Sequence, residues 1–407
     1  MSGSDAAIIG AGPAGLKAAE VLAEAGVQVT VFEKMPSPAR KFLMAGRGGL
    51  NLTHTEPLES FLTRYGEEGE WLRSKIDALA PHDLRAWSAA LGQPTFEGSS
   101  GRVFPESFKA SPLLRAWLRR LDELGVKLET RKGWTGWTDD GALSFADGST
   151  FKPAVTVLAL GGASWPRLGA DGGWVRALRD RGVRVNELRS SNAGITVAWS
   201  QQTVERFAGV PLKRIAITVS AETVAGEAMV SRTGLEGGAV YALSRQLREV
   251  ADAACGKPFE VKLDLKPGLD AEALAARLAK VPRKQSLTNR LRKGAGLSPQ
   301  AISVWRDFTP HVPADDVALA HSIKSVTLMA TGIQPLERAI SSAGGIALDE
   351  LDDGLMLNRL PGVFACGEML DWDAPTGGYL LQACFATGNA AGRGALAWLK
   401  QNNAEQS

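Results

Sequence analysis

The sequence predicts an α/β fold that carries an inserted antiparallel β domain and a small helical subdomain. Three observations predict it. Residues 5–34 run as an apolar strand, a glycine turn, an alanine-rich helix and a second β-branched strand. Residues 194–199, 214–219 and 259–264 alternate β-branched and polar side chains, the period of half-buried antiparallel strands. From Asp270 onward, AEALAARLAKV and AISVWRDF space their apolar residues with helical periodicity. The expected organisation is a domain built on that first strand–helix–strand unit, in two parts, residues 1–188 and 326–407. A β-rich insertion over 189–268 and a helical one over 269–325 come between them. No internal repeat or low-complexity tract interrupts this order.

Composition narrows the functional class. The chain has 407 residues, 44% of them hydrophobic, and 46 basic against 44 acidic residues leave a net charge of +2. That is enough apolar side chain for a sizeable core, and too little net charge for a global field favouring nucleic acid or an anionic membrane. Three cysteines, Cys255, Cys366 and Cys384, form no paired motif, and His54, His82, His311 and His321 are scattered, so no metal site is expected. Met1-Ser2-Gly3-Ser4 lacks the pattern of a targeting segment, and no stretch approaches a bilayer-spanning length. A cytoplasmic protein with a small-molecule substrate is the expectation, with no membrane partner and nucleic acid disfavoured.

Each part of the first unit has a physical task. Gly10 permits the turn out of the strand, Gly12 lets the backbone approach a pyrophosphate, and Gly15 allows the helix to pack on the sheet. Pro13 and Ala14 open the helix, whose free N–H groups favour phosphate. Glu33, followed by Lys34, ends the second strand, where a carboxylate can accept from ribose hydroxyls. A purely structural glycine turn is the bland alternative. Glu33 disfavours a 2′-phosphate, which leaves FAD or NAD(H). A buried-strand pattern ends in Leu160, Gly161 and Gly162, and another ends in Gly367 and Glu368, whose carboxylate could meet a ribityl chain. Gly377 and Gly378 precede a long C-terminal helix, whose N-terminus would favour negative charge on a reduced flavin. The fingerprint and the strand ends at Gly161-Gly162 and Gly367-Glu368 together favour FAD.

The fingerprint, Arg40-Lys41, the loop Ala45-Gly46-Arg47-Gly48-Gly49-Leu50-Asn51-Leu52-Thr53, Gly101-Arg102-Val103-Phe104-Pro105 with Lys109-Ala110, Gly161-Gly162-Ala163-Ser164-Trp165-Pro166, Gly344-Gly345, and Gly367-Glu368 with Asp371 and Thr376-Gly377-Gly378-Tyr379 recur together along nearly the whole chain. This combination resembles the BaiN/RdsA-type NAD(P)/FAD-dependent oxidoreductases, also called YhiN-like or HI0933-like flavoproteins. The resemblance implies a Rossmann-like FAD-binding domain of the glutathione-reductase type with a two-part insertion. It implies non-covalent FAD held by the fingerprint, Glu33, Arg40, Lys41, the glycine-rich loop through Gly46, Arg47 and Gly48 to Asn51, Glu368, and the Gly378-Tyr379 turn, and Leu52, Asp371, Gly377 and Leu380 beside these motifs are further cofactor candidates. Trp134 follows the strand expected beside the adenine and is a further cofactor candidate. The chain also departs from the pattern. Leu50 stands where relatives often have cysteine, Leu380 where asparagine is usual, and Arg232-Thr233-Gly234-Leu235-Glu236-Gly237-Gly238 replaces a His-x-Gly-x-Ser-Gly-Pro segment. A relative's substrate therefore does not carry over.

The reaction expected is hydride transfer from NAD(P)H through FAD to an unsaturated or carbonyl small molecule. No second glycine fingerprint follows a strand, so NAD(P)H is expected as a transient reductant. Tyr379 could donate a proton or stack, and Arg102 could clamp an anionic substrate or pair with a core carboxylate. Trp165 and Trp372 sit in motif loops and are candidates for the pocket wall. The alternatives are an FAD-dependent nucleic-acid (tRNA)-modifying enzyme, to which the cluster Arg283, Lys284, Arg290, Arg292 and Lys293 would contribute, and a non-catalytic flavin redox sensor.

Overall fold

The computed structural model describes residues 5–405, so the expectation about Met1 to Ser4, like that about the Arg47 side chain, lies outside the described residues. The chain divides into two compact units, Met1–Arg189 with Ser341–Ser407, and Ser190–Ile340.

The first unit is built on five parallel strands: β1 (Asp5–Ile9), β2 (Gln28–Glu33), β3 (Lys127–Thr130), β4 (Val155–Leu158) and β5 (Val363–Ala365). Their order is β5-β4-β1-β2-β3. Every residue of β4 is buried, as an inner strand of a sheet covered on both faces requires. Between β1 and β2 runs helix α1 (Pro13–Glu24), which starts on a proline that needs no hydrogen-bond acceptor and ends before Gly26 at φ 83°. Helix α2 (Arg40–Ala45) follows β2. The chain closes with α3 (Tyr379–Glu405), 27 residues long, which lies on α1 across bare positions. A Cβ on Gly388 would come within 2.3 Å of the Ala14 carbonyl oxygen, and one on Gly392 within 2.9 Å of Val21 Cβ. Two glycines one turn apart thus let two helices approach to backbone distance and seat Gly388 of α3 on Ala14 at the start of α1.

The second unit is a closed antiparallel barrel of six strands, joined in the order Ile195–Val197, Gly234–Glu236, Glu222–Val230, Val210–Val219, Phe259–Asp264 and Val326–Ile333. Helices Ala271–Ala279, Leu287–Lys293, Pro299–Phe308 and Asp316–Lys324 lie between its last two strands. Their N-caps are Asp270, Ser286, Ser298 and Asp315, each accepting from a backbone N–H three residues on. Barrel and helices share one apolar core that includes Val261, Leu263, Leu291 and Trp305. The organisation therefore differs from the expected one at two points. The helical segment is not a separate subdomain, and the return to the first unit comes at Ser341 rather than 326, because 326–333 completes the barrel. The segment Arg232 to Gly238, where family side chains are replaced, forms the short barrel strand Gly234–Glu236, in which a Cβ on Gly234 would collide with the Ile195 carbonyl oxygen at 1.8 Å.

Candidate functional site

The three fingerprint glycines have different surroundings. A Cβ on Gly10, at φ 106°, would lie 2.3 Å from the Ala159 carbonyl oxygen, and one on Gly15 would lie 2.0 Å from the Gly10 carbonyl oxygen. Those two are bare because strand, turn and helix pack tightly. A Cβ on Gly12 would meet nothing within 4 Å, although Gly12 caps α1 and its neighbours Pro13 and Ala14 open the helix. The one open glycine stands at the helix end whose N–H groups are free for an anion. At the end of β2, Glu33 accepts from Ala11 N–H at 3.1 Å and from Met35 N–H at 2.8 Å. Burial pushes its carboxyl above the ordinary value, against the pull of those two bonds. Lys34 pairs with Asp171 at 2.7 Å, and Arg40 reaches Ser37 Oγ at 3.4 Å.

Lys41 and Glu368, each expected to face the cofactor, meet each other. Lys41 Nζ donates to Glu368 Oε2 and to Ser164 Oγ, both at 2.7 Å, while Glu368 Oε1 accepts from Ser342 N–H at 3.0 Å. Ser342 Oγ in turn accepts from Ala163 N–H at 2.8 Å. Gly162 is bare because a Cβ there would fall 2.3 Å from Ser342 Oγ. Around this network, Leu160 N–H points at Met369 Sδ, the Gly161 carbonyl accepts from Trp174 Nε1, and Asp371 accepts from Asn186 Nδ2 at 2.5 Å. Gly367 lies against Ala14, where a Cβ would approach to 2.8 Å, and its N–H is held by Thr387 Oγ1. In the loop after α2, the Gly46–Gly48 turn presses on Ala110, Gly48 is open, and Leu52 is buried with its N–H on the Val103 carbonyl. Asn51 Oδ1 and Trp134 Nε1 are buried with no hydrogen-bond partner among the described residues, a condition that a bound group can relieve.

At the start of α3, Gly377 (φ 136°) and Gly378 (φ 100°) have backbone open to glycine alone, and a Cβ on Gly378 would strike Thr53 at 2.6 Å. Tyr379 is buried and donates its hydroxyl proton to Glu56 Oε1 at 2.6 Å. Glu56 is also gripped by Arg64, Nε to Oε1 at 3.1 Å and Nη2 to Oε2 at 2.7 Å. Burial and then the Glu56 carboxylate drive the Tyr379 hydroxyl above its ordinary value, so it stays protonated throughout the neutral range. His54 stacks on its ring at 5.4 Å, and Tyr65 donates to the Tyr379 carbonyl. Arg102 is exposed on a strand opposite His54, with no ion pair among the described residues. Leu380 is half-buried and packs on the apolar core. Trp372 is a core residue rather than a pocket wall, 2% exposed with its Nε1 on the Gly367 carbonyl. Trp165 is half-buried under the Arg167 guanidinium. In the basic cluster, Arg290 is paired with Asp316, while Arg283, Lys284, Arg292 and Lys293 are exposed. Among the described residues no group of acids, histidines and cysteines is arranged to hold a metal, and no helix is long and apolar enough to cross a membrane.

Sequence reasoning missed Glu56, Arg64, Ser164 and Ser342 as partners of the site. Ser164 alone lay inside a motif, and the others stand in segments without a spacing signal.

Comparison with known proteins agrees with this architecture. The HI0933-like protein Rossmann domain family matches residues 4–394, and the chain belongs to that family. Two relatives are similar over nearly their whole length. The 3-dehydro-bile acid delta(4,6)-reductase of Clostridium scindens is 27% identical, with 95% of this chain and 98% of the relative covered. The ribosomal RNA dihydrouridine synthase of Escherichia coli is 26% identical, with 95% and 96% covered. The fold is similar to that of 3-ketosteroid delta1-dehydrogenase from Sterolibacterium denitrificans, at a TM-score of 0.53 and 12% identity over 98% of this chain and all of that one.

Proposed function

We propose that this member of the HI0933-like family is an oxidoreductase that holds FAD non-covalently in its first unit and reduces an unsaturated or carbonyl-bearing small molecule with electrons from NAD(P)H. The observation that carries the reading is the opening at Gly12, the one fingerprint glycine with free space, at the N-terminus of α1 and near a carboxylate, Glu33, held in place by two backbone N–H groups. The unpartnered Asn51 Oδ1 and Trp134 Nε1 support the same fit.

When bound, FAD supplies two-electron exchange with a carbon centre. The chain supplies position and charge. The first turn of α1 receives the pyrophosphate, and Glu33, held by Ala11 and Met35, accepts from the ribose hydroxyls. Lys41, tied to Glu368, places a compensated charge pair in the same region, and the N-terminus of α3 favours negative charge at its end. Tyr379 holds a proton at Oη, and Glu56 with Arg64 fixes where that proton points. The names of the two relatives, a delta(4,6)-reductase and a dihydrouridine synthase, both describe hydrogen added across a double bond, and the same reaction type is assigned here.

The purified protein should be yellow and release FAD on denaturation, identified by chromatography. Anaerobic addition of NADH or NADPH should bleach the visible flavin bands, and a conjugated enone should restore them. Bound FAD without bleaching by either nicotinamide would remove NAD(P)H as the donor, and no FAD would remove the reading altogether. Retention on an RNA column at moderate salt would instead favour nucleic acid as the substrate.

A further inference from the structure

We propose that the outer face of the small antiparallel sheet of Thr53–His54, Arg102–Pro105 and Thr95–Glu97 is a binding platform for a flat apolar ring system that carries a carboxylate. Along Arg102–Pro105, Val103 and Pro105 are buried while Arg102 and Phe104 share the outer face. Phe96 stands opposite Phe104 in the ladder, and their rings stack at 5.8 Å and 26°. Phe108 completes the group, 4.9 Å from Phe96 and 5.5 Å from Phe104.

Phe108 is 49% exposed and has φ 57°, a left-handed backbone that a bulky side chain rarely adopts. Phe96 and Phe104 are half-buried beneath it, so Phe108 is the ring that the group presents to solvent. Exposing that ring and straining the residue that bears it are both unfavourable for folding, and a large exposed ring backed by two others marks a binding surface. The rings are also framed. A Cβ on Gly98 would come within 3.3 Å of Phe104, and one on Gly49 within 3.2 Å of Phe108 and 3.5 Å of Phe104. Gly49 belongs to the glycine-rich loop, and the Phe108 carbonyl accepts from Leu50 N–H at 2.8 Å, so the platform borders the loop assigned above to the cofactor.

Charge selects the second half of the ligand. Arg102 has no hydrogen-bond or ion-pair partner among the described residues, whereas its ladder neighbour His54 is tied to the Ser100 carbonyl and to Glu56 N–H, and Glu97 accepts from Thr55 Oγ1 at 2.6 Å. A free guanidinium on the face of Phe104 and the exposed Phe108 matches a carboxylate on a flat ring system. A nucleic-acid strand would need a row of phosphate contacts, and this face offers Arg102, with Lys109 following Phe108 in the chain.

The inference rests on the proposed function only for what lies beyond Gly49, and binding measured without turnover lets the two fail separately. The test is isothermal titration calorimetry of the full-length holoprotein with 2-naphthoate and with its uncharged counterpart 2-naphthamide. Phe108→Ala should weaken both probes by about threefold to tenfold. Arg102→Gln should weaken 2-naphthoate by about tenfold or more and leave 2-naphthamide unchanged. Both residues are exposed, and near-ultraviolet circular dichroism identical to wild type shows that the variants fold. No binding of 2-naphthoate by the folded wild type, or equal loss of both probes in Arg102→Gln, would overturn the proposal. So would displacement of 2-naphthoate by a uridine-rich oligonucleotide at lower concentration, which would assign the face to RNA.

Discussion

Tyr379 shows how single residues acquire their chemistry. All three tyrosines of the chain titrate above their ordinary value: Tyr65 and Tyr379 through burial first, and Tyr241, pushed up to about 12, through burial and then Glu236. The folded protein should therefore show almost no tyrosinate absorbance at about pH 10.5, where an exposed tyrosine is mostly ionised. Glu56→Gln removes a negative charge and a carboxylate acceptor from the Tyr379 hydroxyl, which eases loss of its proton. One tyrosine should then titrate at lower pH than in wild type, read at 295 nm, and an unchanged curve would show that burial alone sets the shift. Burial also raises Glu56 itself, but Arg64 and Tyr379 outweigh it and hold the carboxyl below 4.5. That depressed value contributes stability present above the unfolded pKa and lost as pH falls through the folded one. Tyr379 is legible in the sequence because a glycine pair announces it. Glu56 lies 323 residues away in a segment without a motif, and only folding joins them.

At the scale of the element, the β1–α1 turn separates structural from ligand-facing glycines. Gly12 has φ −83°, which alanine adopts freely, and open space around its Cβ position. Gly12→Ala should leave the stability of the FAD-stripped protein within about 0.5 kcal/mol of wild type, yet the variant should purify without FAD. Gly15→Ala forces a methyl group onto the Gly10 carbonyl oxygen at 2.0 Å and should cost about 1–3 kcal/mol with or without cofactor. Denaturant melts of both variants, with bound FAD measured alongside, check the contrast, and equal destabilisation would refute it. The spacing of Gly10, Gly12 and Gly15 is readable from the sequence, since turn and helix obey local backbone sterics. What crowds Gly10 is not, because Ala159 arrives from the loop after β4, some 150 residues later in the chain.

Across the whole molecule, the two units keep separate apolar cores. Trp305 lies wholly within the second, 1% exposed, with its Nε1 donating to Ser322 Oγ at 3.0 Å. Trp305→Ala should lower the stability of residues 190–340 by about 3–5 kcal/mol. Flavin release, followed by its fluorescence during heating, should keep its wild-type midpoint, and a matching drop would show that the units unfold together. By itself the sequence determined the strand–turn–helix opening, the presence of an insertion and the glycines at the strand ends, because periodicity and backbone freedom act over a few residues. Only the tertiary structure decided that 326–333 closes the barrel, that Lys41 pairs with Glu368 across 327 residues, and that Phe96, Phe104 and Phe108 cluster on the sheet face that carries Arg102. Such pairings are settled by which assembled core buries most apolar surface while satisfying its polar groups, and no local pattern encodes that balance.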